Sequence, residues 1–152
     1  MRSVYDNLTV AGYAAAFNTT GSTICTGASV DTKGYNSAAL RVFTSTVGAG
    51  LAVNTGASLT AVLQESDDNS TWTTATDNNS ENISITQVAT TTAVLSSARI
   101  EGLGSNRSRY LRVVTTAYFG GAAAATRQFT SCAVLELGRA YQNPVNTTTS
   151  NT

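Results

Sequence analysis

The stretch that most constrains this chain is Ala57 to Ala75, ASLTAVLQESDDNSTWTTA. Leu59, Ala61 and Leu63 alternate with Thr60, Val62 and Gln64. A period of two is that of a β-strand with one face buried. Asp67-Asp68-Asn69-Ser70 then interrupts the alternation with residues that hydrogen-bond their own backbone and accept tight-turn dihedrals. Trp72 opens a return strand. The segment therefore reads as a β-hairpin with a polar tip, and the rest of the chain as strands added around it.

Those further strands are short and separated by turn residues. Thr23 to Thr26 and Ser29 to Thr32 read as strands, with a turn over Lys33-Gly34-Tyr35-Asn36. Ala38 to Thr46 places Leu40, Val42 and Thr44 on one side and Ala39, Arg41 and Phe43 on the other, which suggests a central strand. Thr73 to Asn82 is polar and reads as an exposed loop. Ile83 and Ile85 mark a short strand, and Val94 and Leu95 follow three threonines. Arg109 to Thr116 and Phe129 to Leu137 are the clearest strands after the hairpin. In the last of these Phe129, Ser131, Ala133, Leu135 and Leu137 share one face, with Cys132, Val134 and Glu136 opposite. Ala11 to Gly21 is too short and too rich in Gly and Thr for a helix, and Ala122 to Ala125 cannot nucleate one. Many short strands without a helical period predict an all-β fold, an antiparallel sandwich or barrel.

At 152 residues the chain is expected to form one domain, and its length suffices for a single buried core. Residues 1–10 form an N-terminal arm in this reading, residues 11–137 the β-sandwich domain and residues 138–152 a C-terminal arm. Val4, Leu8 and Val10 suit a first strand or an arm laid on a neighbour. The C-terminal stretch is so poor in apolar side chains that a second surface is needed to order it.

Nine basic residues balance nine acidic ones, so no global field draws the chain to nucleic acid or to an anionic membrane. Charged residues make up 12%, about half the usual share. Thr, Ser and Asn supply the polarity instead, a surface suited to being covered by partners. Eight of the nine basic residues are Arg and only Lys33 is Lys. Arg keeps its charge in half-buried contacts, although codon bias gives the same count. Met1-Arg2-Ser3 is followed by Asp6 and Asn7, not by an apolar run, so no secretory signal is expected. The Asn-x-Ser/Thr sequons then follow from composition, not from glycosylation.

Chemistry-bearing residues are few. There is no His, which removes the usual general base and the commonest metal ligand. No phosphate-binding loop or nucleophile elbow occurs. The chain is therefore read as a non-enzyme with no cofactor and no metal. Cys25 and Cys132 are too few for a zinc site and too far apart for a CxxC pair. Two buried free thiols are expected, with a disulfide between them as the alternative. Asp67, Asp68, Asn69 and Asp77 are oxygen-rich but match no calcium loop, and turn geometry accounts for them. Trp72 reads as a core anchor at the mouth of the hairpin; a stacking platform for a sugar or base is the alternative. Arg107, Arg109 and Arg112 cluster locally, and an interface or cross-strand ion pairs is preferred for them over nucleic acid.

Two segments resemble a known group. Leu63-Gln64-Glu65-Ser66-Asp67-Asp68-Asn69-Ser70-Thr71-Trp72-Thr73 is similar to a strand-turn-Trp hairpin of phage virion proteins, and Arg109-Tyr110-Leu111-Arg112-Val113 to the strand that follows it there. The run Asp31 to Ala38 and the ending Gly138 to Pro144 also look like small proteins of tailed-phage particles. The resemblance implies a jelly-roll-like β-sandwich. It also implies a decoration, or cement, role on the capsid exterior between major capsid subunits, with self-association as a dimer or trimer at a local symmetry axis. The location implied is the virion, after synthesis in the host cytoplasm. A tail-associated or head-fibre role belongs to the same group. Partner contacts are expected from Val4, Tyr5, Leu8, Arg139, Tyr141, Pro144 and Val145. The same two segments also resemble discoidin-type, galactose-binding-like modules, which makes a carbohydrate-binding module the alternative.

Overall fold

The computed structural model describes residues 8–14, 23–44, 57–88, 94–103, 107–119 and 131–139. Within them the chain forms ten strands: β1 (Leu8–Ala14), β2 (Thr23–Thr26), β3 (Val30–Asp31), β4 (Tyr35–Thr44), β5 (Ala57–Ser66), β6 (Thr73–Thr74), β7 (Ser84–Val88), β8 (Val94–Glu101), β9 (Tyr110–Phe119) and β10 (Ser131–Arg139). All pairings are antiparallel.

One sheet runs β1-β10-β4-β8. In the other, β9 and β5 form the centre. β2 and β3 lie end to end along β9, opposite Val114–Ala117 and Tyr110–Leu111. β7 and β6 lie end to end along β5, opposite Ser58–Val62 and Gln64–Glu65. The second sheet is thus also four strands wide. With β3 and β6 counted as continuations, the outermost long strands of the chain pair with each other, β1 with β10, then β2 with β9, β4 with β8 and β5 with β7. This nested pairing, closed by β10 on β4 and β9 on β5, defines a jelly roll.

The core is the set of inward residues of both sheets. Leu40, Val42, Leu135 and Leu137 come from one sheet, Leu59, Leu63, Leu111 and Val113 from the other, all buried. The alternation at Leu59, Ala61 and Leu63 is therefore that of a central strand. Its hairpin is short, however: β6 contributes two residues, and β5 spends most of its length on β9 and β7. The segment 73–82 is not simply an exposed loop. Ala75 is fully buried, its N–H donating to Leu63 O at 3.0 Å while its own carbonyl accepts from Ile83 N at 2.8 Å. β8 had no clear sequence signal, because LSSAR offers little apolar contrast. Gln87 ties the sheets across the core: its Nε2 donates to Val42 O at 3.0 Å and to Ser96 Oγ at 2.8 Å.

The boundaries drawn at residues 10 and 138 fall inside strands. Leu8 pairs with Gly138 and Val10 with Glu136, so both belong to the first sheet. Arg139 ends β10 opposite Tyr35, after a register shift. The start of β1 and the end of β10 therefore lie side by side.

Candidate interaction surfaces

Each sheet turns one face to the core and the other outward, so a strand with two adjacent apolar residues must expose one of them. Val42-Phe43, Val94-Leu95 and Ala117-Tyr118 are such places. Phe43 is 40% exposed, Leu95 61% and Tyr118 51%, and Ile24, beside Cys25 on β2, is 69% exposed.

On the first sheet Phe43 lies opposite both Leu95 and Cys132, which makes an apolar row across β10, β4 and β8. One row along, Arg41 donates from Nε to Glu136 Oε2 at 2.6 Å. Beyond it Ser37, Ala39, Ser97 and Gly138 have small side chains or none. With Arg41, Arg99 and Glu136 they line a depression of about 390 Å³.

The outer face of the second sheet is threonine-rich. Ile24 is opposite Thr116, Thr116 opposite Thr60, and Thr60 opposite Thr86, with the last two hydroxyls 3.1 Å apart. Tyr118 flanks this row. At the other end Trp72 is half-buried under Arg112, whose guanidinium lies 4.2 Å from the ring centroid and donates to Gln64 Oε1 at 2.8 Å. Trp72 is thus not the expected core anchor. Its ring packs on the sheet exterior, and one of its faces is already occupied by a cation.

Arg109, just before β9, clamps Asp31 on β3, with Nη2 to Oδ2 at 2.6 Å and Nε to Oδ1 at 3.1 Å. This bonding from Arg109, reinforced by the Lys33 N–H, holds the Asp31 carboxyl down at about 2. Arg107 Nη1 is 3.8 Å from Glu65, and its Nε donates to Glu101 O at 3.2 Å. The three arginines of the cluster are therefore committed to cross-strand neighbours. Beside Arg107 a polar depression of about 480 Å³ is lined by Glu65, Asp77 and Glu101.

At the hairpin tip Asp68 accepts from the N–H groups of Ser70 and Thr71 and from the hydroxyls of Ser66 and Thr71. The two backbone donors are the main reason its carboxyl is held far below the usual carboxylate range. Asp77 caps its own turn by accepting from Asn79 N and Glu81 N. Cys25 and Cys132 are both free and only half-buried, one in each sheet. The buried placement expected for them is corrected, and no disulfide joins them: Cys25 packs against the core from the short outer strand β2, which leaves it partly open, and Cys132 lies on the outer face of β10 opposite Phe43.

Of the residues expected to contact partners, Leu8 and Arg139 are brought to the same end of the first sheet by the β1–β10 pairing. Val4, Tyr5, Tyr141, Pro144 and Val145 lie outside the described residues. Sequence reasoning missed Ile24, Phe43, Leu95 and Tyr118. Their signal was the breach of alternation itself, an apolar residue on the polar side of a strand.

The strand pairings place the chain among jelly-roll β-sandwiches, a class that includes virus capsid and carbohydrate-binding domains. No family model and no curated protein matches it. Solved structures similar to it include a chain of the naturally occurring empty particles of cowpea mosaic virus (9% identity, 93% of this chain and 86% of that one, TM-score 0.48). A second is from broad bean stain virus (8%, 93% and 90%, TM-score 0.47). A third is TmCBM61 in complex with β-1,4-galactotriose (11%, 84% and 70%, TM-score 0.43). These are likenesses of outline, and the fold assignment rests on the pairings.

Proposed function

We propose that the chain is a non-catalytic structural protein of a virus particle, a decoration protein of tailed-phage type that binds the capsid exterior between major capsid subunits. The observation that carries this reading is that apolar side chains stand exposed on the outer faces of both sheets, Phe43 and Leu95 on one and Ile24 and Tyr118 on the other. A sandwich with adhesive patches on opposite sides suits a tile between neighbours. Its low charge gives little repulsion between copies. Each patch is small, and many copies on a closed shell supply avidity that one contact does not. The contacts expected of Val4, Tyr5, Leu8, Arg139, Tyr141, Pro144 and Val145 belong to this reading, and Leu8 and Gly138 lie side by side in the first sheet.

Particles purified from a lysate producing this protein are expected to carry it at a fixed ratio to the major capsid protein, and a chain ending at Arg139 to lose that occupancy while keeping its fold. A glycan array is expected to stay blank. Binding to galactosides, together with absence from particles, would replace this reading with the carbohydrate module. In that case Trp72, with one ring face covered by Arg112, is the first residue to mutate.

A further inference from the structure

A jelly roll has four sheet edges, and here three are broken. The β1 edge shifts register between Val10 and Gly12. The β2–β3 edge is interrupted between Thr26 and Val30, and the β6–β7 edge between Thr74 and Ser84. Interruptions and bulges of this kind stop an edge from templating another strand. The fourth edge, β8, is different. It runs unbroken from Val94 to Glu101, pairs with β4 without a register shift, and contains neither Pro nor Lys. Its two charges, Arg99 and Glu101, neutralise each other at 2.9 Å. Among the described residues no strand lies beyond it. Its inward residues Val94, Ser96 and Ala98 are accordingly half-buried, where their counterparts Val42 and Leu40 on β4 are fully so.

We propose that β8 is the seam of a homodimer, pairing antiparallel with β8 of a second copy about a two-fold axis at Ser97 and joining the two four-stranded sheets into one. The register is chosen by the side chains. With the axis at Ser97, Val94 faces Ile100 of the other copy and Ser96 faces Ala98 on the inner side. On the outer side Leu95 faces the aliphatic stem of Arg99, and Ser97 faces itself. Like meets like, and the 61% exposed Leu95 is covered. Moving the axis to Ala98 sets Leu95 against Glu101, and moving it to Arg99 sets two arginines against each other. Of the axes at Ser97, Ala98 and Arg99, the one at Ser97 pairs like with like along the strand without opposing charges, and this self-complementarity argues for a second copy as the occupant. The inference is independent of the particle reading, since such a dimer forms in free solution.

The test uses the full chain. Analytical ultracentrifugation is expected to show a dimer, and Ser97→Lys, which sets two ammonium groups across the axis at an exposed position, a monomer with an unchanged circular dichroism spectrum. In a Cys25→Ser, Cys132→Ser background, Ser97→Cys is expected to give a covalent dimer on oxidation, and Thr86→Cys, exposed on the other sheet, none. A native chain that sediments as a monomer overturns the proposal. So does a dimer that survives Ser97→Lys and fails to cross-link at position 97. Neither result bears on whether the chain occurs in particles, which is measured separately.

Discussion

Asp31 sits where two strands and a turn meet, and its carboxylate serves all three. It accepts from Arg109, just before β9, and from Lys33 in the turn, and its folded value of about 2 lies below the ordinary 3.8. A depressed carboxyl stabilises the fold above its unfolded value and loses that contribution as the pH falls toward its folded one. Stability is therefore expected to decline from about pH 4 to pH 2, and Asp31→Asn to be less stable at neutral pH but to decline less over that window, as followed by urea midpoints. Asp68, depressed in the same direction, adds to the slope. A second residue-scale prediction uses the only tryptophan. Arg112→Ala uncovers one face of Trp72 and is expected to shift its emission to longer wavelength, with little change in circular dichroism. Unchanged emission would mean that the guanidinium does not shield the ring in solution.

At the scale of elements, β5 is where the chain is least tolerant. Leu63 is fully buried between the sheets, and Leu63→Ala is expected to cost about 2–5 kcal/mol in chemical denaturation. Gln87→Ala removes the bonds that tie β7 to Val42 O and Ser96 Oγ, and is expected to cost about 1–3 kcal/mol. The turn from β3 to β4 needs a residue at φ +88°, which Gly34 supplies; Gly34→Ala is expected to destabilise by about 1 kcal/mol although no neighbouring atom stands in the way. β2, β5, β9 and β10 were legible in the sequence because alternation and β-branched residues are local properties. β8 was not, since an edge strand needs apolar contrast on only half a face, and Val94, Ser96 and Ala98 show little. Tyr35 and Asn36 read as turn residues, yet they start β4, because pairing with Arg139 extends the strand past its local signal.

At the scale of the molecule, the nested pairing makes most contacts long-range: β1 meets β10 across nearly the length of the chain. Such topologies fold slowly, and refolding followed by Trp72 fluorescence is expected on a time scale of roughly milliseconds to seconds. A microsecond phase carrying the full amplitude would contradict this pairing as the rate-limiting feature. The particle reading belongs to this scale too, because opposite adhesive faces matter only when many copies share a shell. By itself the sequence determined the all-β class, the inward residues of the central strands, the polar turns and the lack of a histidine-based chemistry, since each follows from residue type or from spacing within one strand. Which strands pair, that Trp72 lies outside the core, that both cysteines are half-exposed, and that Phe43, Leu95, Ile24 and Tyr118 form outward patches were decided only in three dimensions. The physical reason is that alternation says a strand has two faces but not which neighbour covers either one; that depends on residues tens of positions away or more, brought alongside when the sandwich closes.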